Sequence, residues 1–281
     1  MKITLSRLFW RWLPKKKISR WAGNFAKHPA SRRLIPWYIK RFNIDLTPVK
    51  RPVHDFENLM EFFIRELNPD ARPIDPDPRI VVSPVDGTIS QSGKILEGTL
   101  IQAKGVTYSL EHLLGKQDQI HRFTGGQYIT IYLSPRDYHR IHMPVSGTIR
   151  EVTYIPGELY PVNETGVHLI PGLFAENERV ISYISTDFGV VALIKIGATN
   201  VGSIKLVFDE EVKTNPHREK PQEHKRYEKS VSLEKGDELG RFEFGSTVIL
   251  LFEPDQIDWT IDVKPGTKVQ MGQSLARILK T

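Results

Sequence analysis

Ser83-Pro84-Val85-Asp86-Gly87-Thr88-Ile89 is a Pro-X-X-Gly turn that runs into β-branched residues, and it returns as Met143-Pro144-Val145-Ser146-Gly147-Thr148-Ile149. Proline presets the turn, glycine closes it, and Thr and Ile favour the pleated strand that follows. The same grammar extends outward. From Ile80 onward, short runs of Val, Ile, Thr and Tyr are bounded by Gly, Pro, Asn and Asp, the pattern of successive strands. The spacing predicts strands over 80–82, 87–90, 127–133, 147–154, 179–186, 190–196, 201–208, 238–244, 247–252 and 274–279. Residues 109–114 read as a helical turn. Residues 209–230 hold 12 charged residues in 22, with Pro216 and Pro221, and read as a mobile loop. Upstream, 71–78 is a Pro-rich linker. Residues 54–67 read as an amphipathic helix with Asp55 as N-cap and Phe56, Leu59, Phe62, Phe63 and Leu67 inward.

The N-terminus differs in kind. The 281-residue chain has a net charge of +6, but residues 1–50 hold seven Lys, six Arg and one acid, Asp45. That segment is +12, which leaves −6 on the rest. It also holds four of the five tryptophans: Trp10, Trp12, Trp21 and Trp37. Leu5, Leu8, Phe9, Trp12 and Leu13 share one helical face; Ile18, Trp21, Ala22 and Phe25 form a second stripe. Leu34, Ile35, Trp37, Tyr38 and Phe42 form a third, with Pro14 ending the first helix. Such helices lie in the interface of an anionic membrane, where each basic residue contributes roughly 1 kcal/mol. The bland alternative is a helical cap packed on the body. Nothing matches a helix-turn-helix, zinc finger or RNA-binding signature, so no nucleic-acid partner is expected. Hydrophobic content of 40% argues for a folded chain. Zero cysteines exclude disulfides, a Cys nucleophile and thiolate metal sites. No run approaches about 18 apolar residues, so no spanning helix is expected, and Arg7 and Arg11 break up any secretory signal.

The C-terminal phrase 263–276 (VKPGTKVQMGQSLA) resembles the turns of lipoyl and biotinyl carrier domains, which are barrel-sandwich hybrids. No modifiable Met-Lys or Asp-Lys pair accompanies it. The expected fold is therefore α+β: a mainly β, barrel-sandwich-hybrid-like catalytic body over 51–281, preceded by amphipathic docking helices over 1–50.

Three spots carry possible chemistry. Ser246 follows Phe244-Gly245 just before the apolar run Val248–Phe252. His139 and His142 lie in the Pro-bracketed segment Ser134–Pro144. Asp86 lies in Val-Asp-Gly. Each has a bland reading: a strand-entry bend, structural histidines, a hairpin Asp-Gly. Together, Asp86, His142 and Ser246 permit an orienter, a base and a nucleophile. On chemistry alone a serine-type hydrolase ranks ahead of metal-dependent hydrolysis, and no metal site is expected.

The motifs in order are more specific. SPVDGTIS (83–90), LSPRDYHRIHMP (133–144) and RFEFGSTVILLF (241–252) together resemble the bacterial, type I phosphatidylserine decarboxylases. The likeness extends to IQAKGVTYSL (101–110), FAENERV (174–180), IGATNVGSI (196–204) and the basic N-terminal helices. One departure is visible: Phe244 stands where the family usually has Leu.

The resemblance implies an enzyme that makes its own cofactor. His142, oriented by Asp86, would take the proton of Ser246, whose oxygen attacks the Gly245 carbonyl. Ester formation, β-elimination and hydrolysis would leave a β chain, 1–245, and an α chain, 246–281, capped by a pyruvoyl group. Phosphatidylserine would form a Schiff base with that group, lose CO2 and leave as phosphatidylethanolamine. His139 is the implied proton donor to the α carbon. The implied setting is the cytoplasmic side of the cell membrane, peripherally bound, with a homodimer of the cleaved pair possible. The rival reading is a membrane-associated serine-type hydrolase using Asp86, His142 and Ser246 without self-cleavage.

Overall fold

The computed structural model describes residues 14–103, 106–115, 117–199, 203–212, 214–216 and 220–279. The two Pro-X-X-Gly turns meet. Val82 N–H donates to Pro144 O at 2.9 Å, and His142 N–H donates to Pro84 O at 2.8 Å. Each turn launches a strand, β2 (Gly87–Lys94) and β7 (Gly147–Ile155). The glycines are required by close approach. A Cβ on Gly87 would lie 2.6 Å from Tyr132 O, and one on Gly147 would lie 2.7 Å from Ser185 O.

These strands belong to an eight-stranded antiparallel sheet. Its other members are β5 (Gln127–Leu133), β8 (Arg179–Thr186), β9 (Gly189–Ile196), β11 (Glu223–Leu233), β13 (Ser246–Phe252) and β15 (Lys268–Val269), in the order β11-β7-β8-β9-β13-β5-β2-β15. All seven residues of β13 are buried between β9 and β5. Val248, Leu250 and Phe252 enter one core with Ile131 and Leu193; Ile249 and Leu251 enter another with Tyr128 and Ile194. Burial on both faces explains why this strand is apolar throughout instead of alternating. A smaller sheet joins β6 (Arg140–His142), β10 (Ser203–Leu206) and β12 (Glu238–Glu243) in the order β10-β12-β6. A third joins β1 (Ile80–Val82), β14 (Ile257–Trp259) and β16 (Ser274–Ile278), and β3 (Thr99–Ala103) pairs with β4 (Val106–Ser109). The body is thus α+β and dominated by β, as the turn-and-strand pattern predicts.

Two expectations are corrected. The presumed loop 209–230 contains most of β11, which pairs with β7. An edge strand needs only backbone partners on one side, so a charged sequence fits it. Here the charges are laced: Lys225 pairs with Asp209 at 2.7 Å, and Tyr227 OH donates to the same carboxylate. The expected helix 54–67 shrinks to α3 (Leu59–Phe63) behind a single 3-10 turn, Val53–Asp55. Its N-cap is Asn58, not Asp55: Asn58 Oδ1 accepts from Glu61 N at 2.9 Å. Four of the five expected inward residues, Phe56, Leu59, Phe62 and Phe63, are buried, and Leu67 is half-buried.

The second and third N-terminal stripes form α1 (Lys15–Lys27) and, after the 3-10 turn Pro29–Leu34, α2 (Ile35–Phe42). Pro14 caps α1 at its start, and the first stripe, 5–13, lies outside the described residues. Ala26, Ile35, Tyr38 and Ile44 share one core with Phe56–Phe63, so packing is continuous across residue 50. The other face of these helices is open: Trp21 is 71% exposed and Trp37 59%. Among the described residues no helix is long and apolar enough to cross a membrane.

Candidate active site

β12 turns into β13 through Phe244 and Gly245. Phe244 has φ +86°, a conformation that a bulky L-residue holds only against strain. Packing holds it: its ring lies 4.8 Å from that of Phe63, which also packs against the His139 ring at 4.0 Å. Gly245 is unhindered, its nearest neighbour for a notional Cβ being Leu133 O at 3.7 Å. Ser246 opens β13 opposite Leu133 and is fully buried. Its Oγ has no hydrogen-bond partner, a rarity that asks for a reason.

His139 is also fully buried. Its Nδ1 lies 2.8 Å from Asp137 O. A carbonyl only accepts, so Nδ1 carries the hydrogen and Nε2 the lone pair. That Nε2 has no partner either. Burial, and then the nearby Arg65 charge, push the His139 pKa down to about 3. Phe242 N–H donates to His139 O at 3.0 Å, which sets this histidine beside the end of β12, next to the corner.

His142 lies at the other end of β6, in register with Glu238. Its Nδ1 donates to Gly236 O at 2.8 Å, and its Nε2 accepts from Tyr138 OH at 3.1 Å. Burial lowers its pKa as well. Asp86 is close through the main chain, since His142 N–H binds Pro84 O. The two side chains are not hydrogen-bonded to each other. The Asp86 carboxylate is held by Arg72, with contacts of 2.8 Å from Nε and 2.5 Å from Nη2, and by Met271 N–H at 2.9 Å. This pairing raises the pKa of Arg72. The sequence-predicted residues therefore form two groups: Asp86 with His142, and His139 with the Phe244–Ser246 corner.

Four neighbours were not expected at the site: Arg65, Arg72, Tyr138, and Phe63, which the sequence marks only as a core position. Arg72 sits in what reads as a plain linker. Tyr138, between Asp137 and His139, was available in the motif itself.

An apolar cleft of about 610 Å³ opens onto Phe244 and Gly245, walled by Trp21, Phe25, Trp37 and Tyr38 from the N-terminal helices. A larger, more polar hollow of about 1030 Å³ beside Arg179 contains none of the candidate residues. The apolar cleft is the one adjoining the Phe244–Gly245 turn.

The family model described as phosphatidylserine decarboxylase matches residues 59–277. A protein of Brevibacillus brevis named phosphatidylserine decarboxylase proenzyme is 48% identical over 94% of this chain and 94% of its own length. Proteins of the same name from Shewanella frigidimarina and Pseudomonas fluorescens are 42% and 43% identical; the alignments cover 95% and 94% of this chain and 95% and 93% of theirs. With a matched span that contains the Asp86 turn, both histidines and the Gly245–Ser246 corner, the chain belongs to the phosphatidylserine decarboxylase family.

Proposed function

We propose that this chain is a proenzyme that cuts itself between Gly245 and Ser246 and then decarboxylates phosphatidylserine to phosphatidylethanolamine. The observation that carries this reading is the buried, unpartnered Ser246 Oγ behind an unhindered Gly245 and a strained Phe244. A hydroxyl without a partner is available to attack, and a strained corner favours a displaced carbonyl.

In the cleavage, Ser246 Oγ bonds to the Gly245 carbonyl carbon as the peptide nitrogen leaves, giving an ester. His142 takes the hydroxyl proton; to do so its Nε2 must exchange Tyr138 OH for Ser246. Asp86, fixed by Arg72 and Met271, holds negative charge behind that imidazole. β-Elimination and hydrolysis then release ammonia and leave a pyruvoyl group at position 246, on an α chain of 246–281. The site fits this group, because the orphaned Ser246 oxygen already marks a buried place with no competing hydrogen bond. When present, the pyruvoyl carbonyl supplies an electron sink for loss of CO2. His139, through its free Nε2, is the residue that moves a proton at the substrate α carbon.

Substrate access follows from the helices. The exposed Trp21 and Trp37, with exposed Lys17, Lys40 and Arg41 about one helical turn away along the chain, suit an anionic membrane surface on the cytoplasmic side. The cleft beneath them offers an apolar route for acyl chains to the corner. A homodimer of the cleaved pair rests on the family resemblance.

Intact-mass measurement tests the reading. The wild-type protein should give two fragments, 1–245 and 246–281, the second with a blocked N-terminus, and Ser246→Ala should remain whole and inactive. A chain that stays whole yet releases CO2 from phosphatidylserine would sink the pyruvoyl mechanism.

A further inference from the structure

Arg65 is only 4% exposed. Its hydrogen bonds run from Nη2 to Arg136 O at 2.8 Å and to Asp137 O at 3.4 Å. Nε and Nη1 are buried with no partner. The guanidinium rests 5.3 Å from the centre of the Phe62 ring. Arginine does not shed its charge in proteins, and although the Asp86 and Asp137 carboxylates support it from nearby, buried donors without partners are costly to keep. Such a group, next to a site, calls for a role.

Its position is informative. Arg65 follows by two residues the Phe63 that touches both His139 and Phe244. Asp137 O accepts from Arg65 Nη2 and is bonded to His139 Nδ1. One carbonyl therefore joins the guanidinium to the imidazole. The cleavage and the proton transfer leave this cation unused. The serine-bearing headgroup, meanwhile, brings two anions within a few bonds of the reacting carbon, a phosphodiester and a carboxylate.

We propose that Arg65 is the oxyanion receptor of the active site, taking an oxygen of the substrate headgroup through its unpartnered Nε and Nη1 donors. The inference rests on the reading of His139 as the group beside the α carbon. The phosphodiester is the expected taker. A cation on the departing carboxylate would stabilise the ground state more than the transition state and oppose loss of CO2. Arrival of the anion has a second effect. It offsets the positive field on His139 and makes that imidazole easier to protonate when a donor is needed.

The test is calorimetric binding to the full-length, uncut Ser246→Ala chain, with and without Arg65→Met. Three dihexanoyl lipids serve as probes: dihexanoyl phosphatidylethanolamine, which has a phosphodiester and no carboxylate; a dihexanoylglycerol linked to serine without phosphate, which has the carboxylate alone; and dihexanoylglycerol, which has neither. Arg65→Met should weaken the phosphodiester lipid at least tenfold and leave dihexanoylglycerol unchanged. Weakening confined to the carboxylate lipid also supports an oxyanion receptor and identifies the carboxylate as its anion. Equal weakening of all three, the mark of a merely structural clamp, overturns the proposal, as does no change in either anionic lipid. If Arg65→Met does not fold, Arg65→Lys gives the same comparison, because it keeps the charge and loses Nε. Binding to an uncut chain needs no catalysis. A chain that binds through Arg65 but never decarboxylates would refute the enzyme function and leave the receptor standing.

Discussion

Phe63 is the residue through which the corner and the histidine feel each other. It is fully buried and touches Phe244 and His139, so Phe63→Ala should cost about 3–5 kcal/mol and slow self-cleavage, read as the fraction of uncut chain over time. The histidines set a pH dependence. The folded pKa of His139 is about 3, below the usual 6.5. The unfolded chain therefore binds the extra proton as pH falls below 6.5, and stability drops from there towards pH 3, by up to about 1.4 kcal/mol per pH unit for one such group. Denaturant midpoints of Ser246→Ala at pH 7 and pH 5 should show this loss, reduced in a second variant carrying His139→Gln. Lys195 acts in the same direction, in a higher pH window. It is fully buried with Ser182 Oγ at 2.7 Å, and burial pushes its pKa down to about 7. The unfolded lysine holds its proton up to its ordinary 10.5, so native stability rises with pH between 7 and 10.5. Lys195→Met should raise the Tm at pH 7, and the gain should fade by pH 10.5. Asp86, His142 and Ser246 stood out in the sequence because turn and strand residues bracket them. Arg65 did not, because a basic residue at a helix end reads as solvated until its burial is seen.

At the level of elements, the Phe244–Ser246 corner is tied to α1. Glu243, the last residue of β12, is buried and pairs with Lys27 of α1 and Lys205 of β10 at 2.7 Å each, while Ser203 Oγ donates to it. Its pKa is lowered by these partners despite burial. Removing the charge strands two ammonium groups that are about half and one-third exposed. Glu243→Gln should therefore cost only about 1–3 kcal/mol and, by loosening α1, should accelerate proteolysis within 15–27 relative to the body. The strands of the large sheet were legible because β-branched runs between turn residues leave few alternatives: 80–82, 127–133 and 179–186 fall at the expected bounds. Two elements were not. The apolar spacing of 54–67 fits a helix, but Asn58 caps a late start, so two of its five inward residues, Phe56 and Leu67, sit on non-helical backbone. The charges of β11 resemble a loop because an edge strand has no apolar pattern to display.

For the whole molecule, the contrast between a +12 N-terminus and a −6 remainder marks a difference of surface, while the core runs through both. Tyr38 OH donates to Pro135 O at 3.0 Å, and Ala26 and Ile35 pack with Phe63. Deleting residues 1–50 should therefore reduce binding to anionic vesicles and also lower the Tm of the remainder, measured on the uncut Ser246→Ala background. The central place of β13 has a further consequence. While the chain is whole, folding is a first-order event, with β13 delivered by its own tether. If the proposed cut before Ser246 is made, the middle strand of the large sheet belongs to a separate 36-residue peptide, 246–281. Unfolding then releases two molecules, and recovery becomes second-order and dependent on concentration. On the proposed cleavage, the uncut form is thus the refoldable one: the sheet would be assembled once, as a single chain, and the lifetime of the cut form would be governed by how slowly it comes apart.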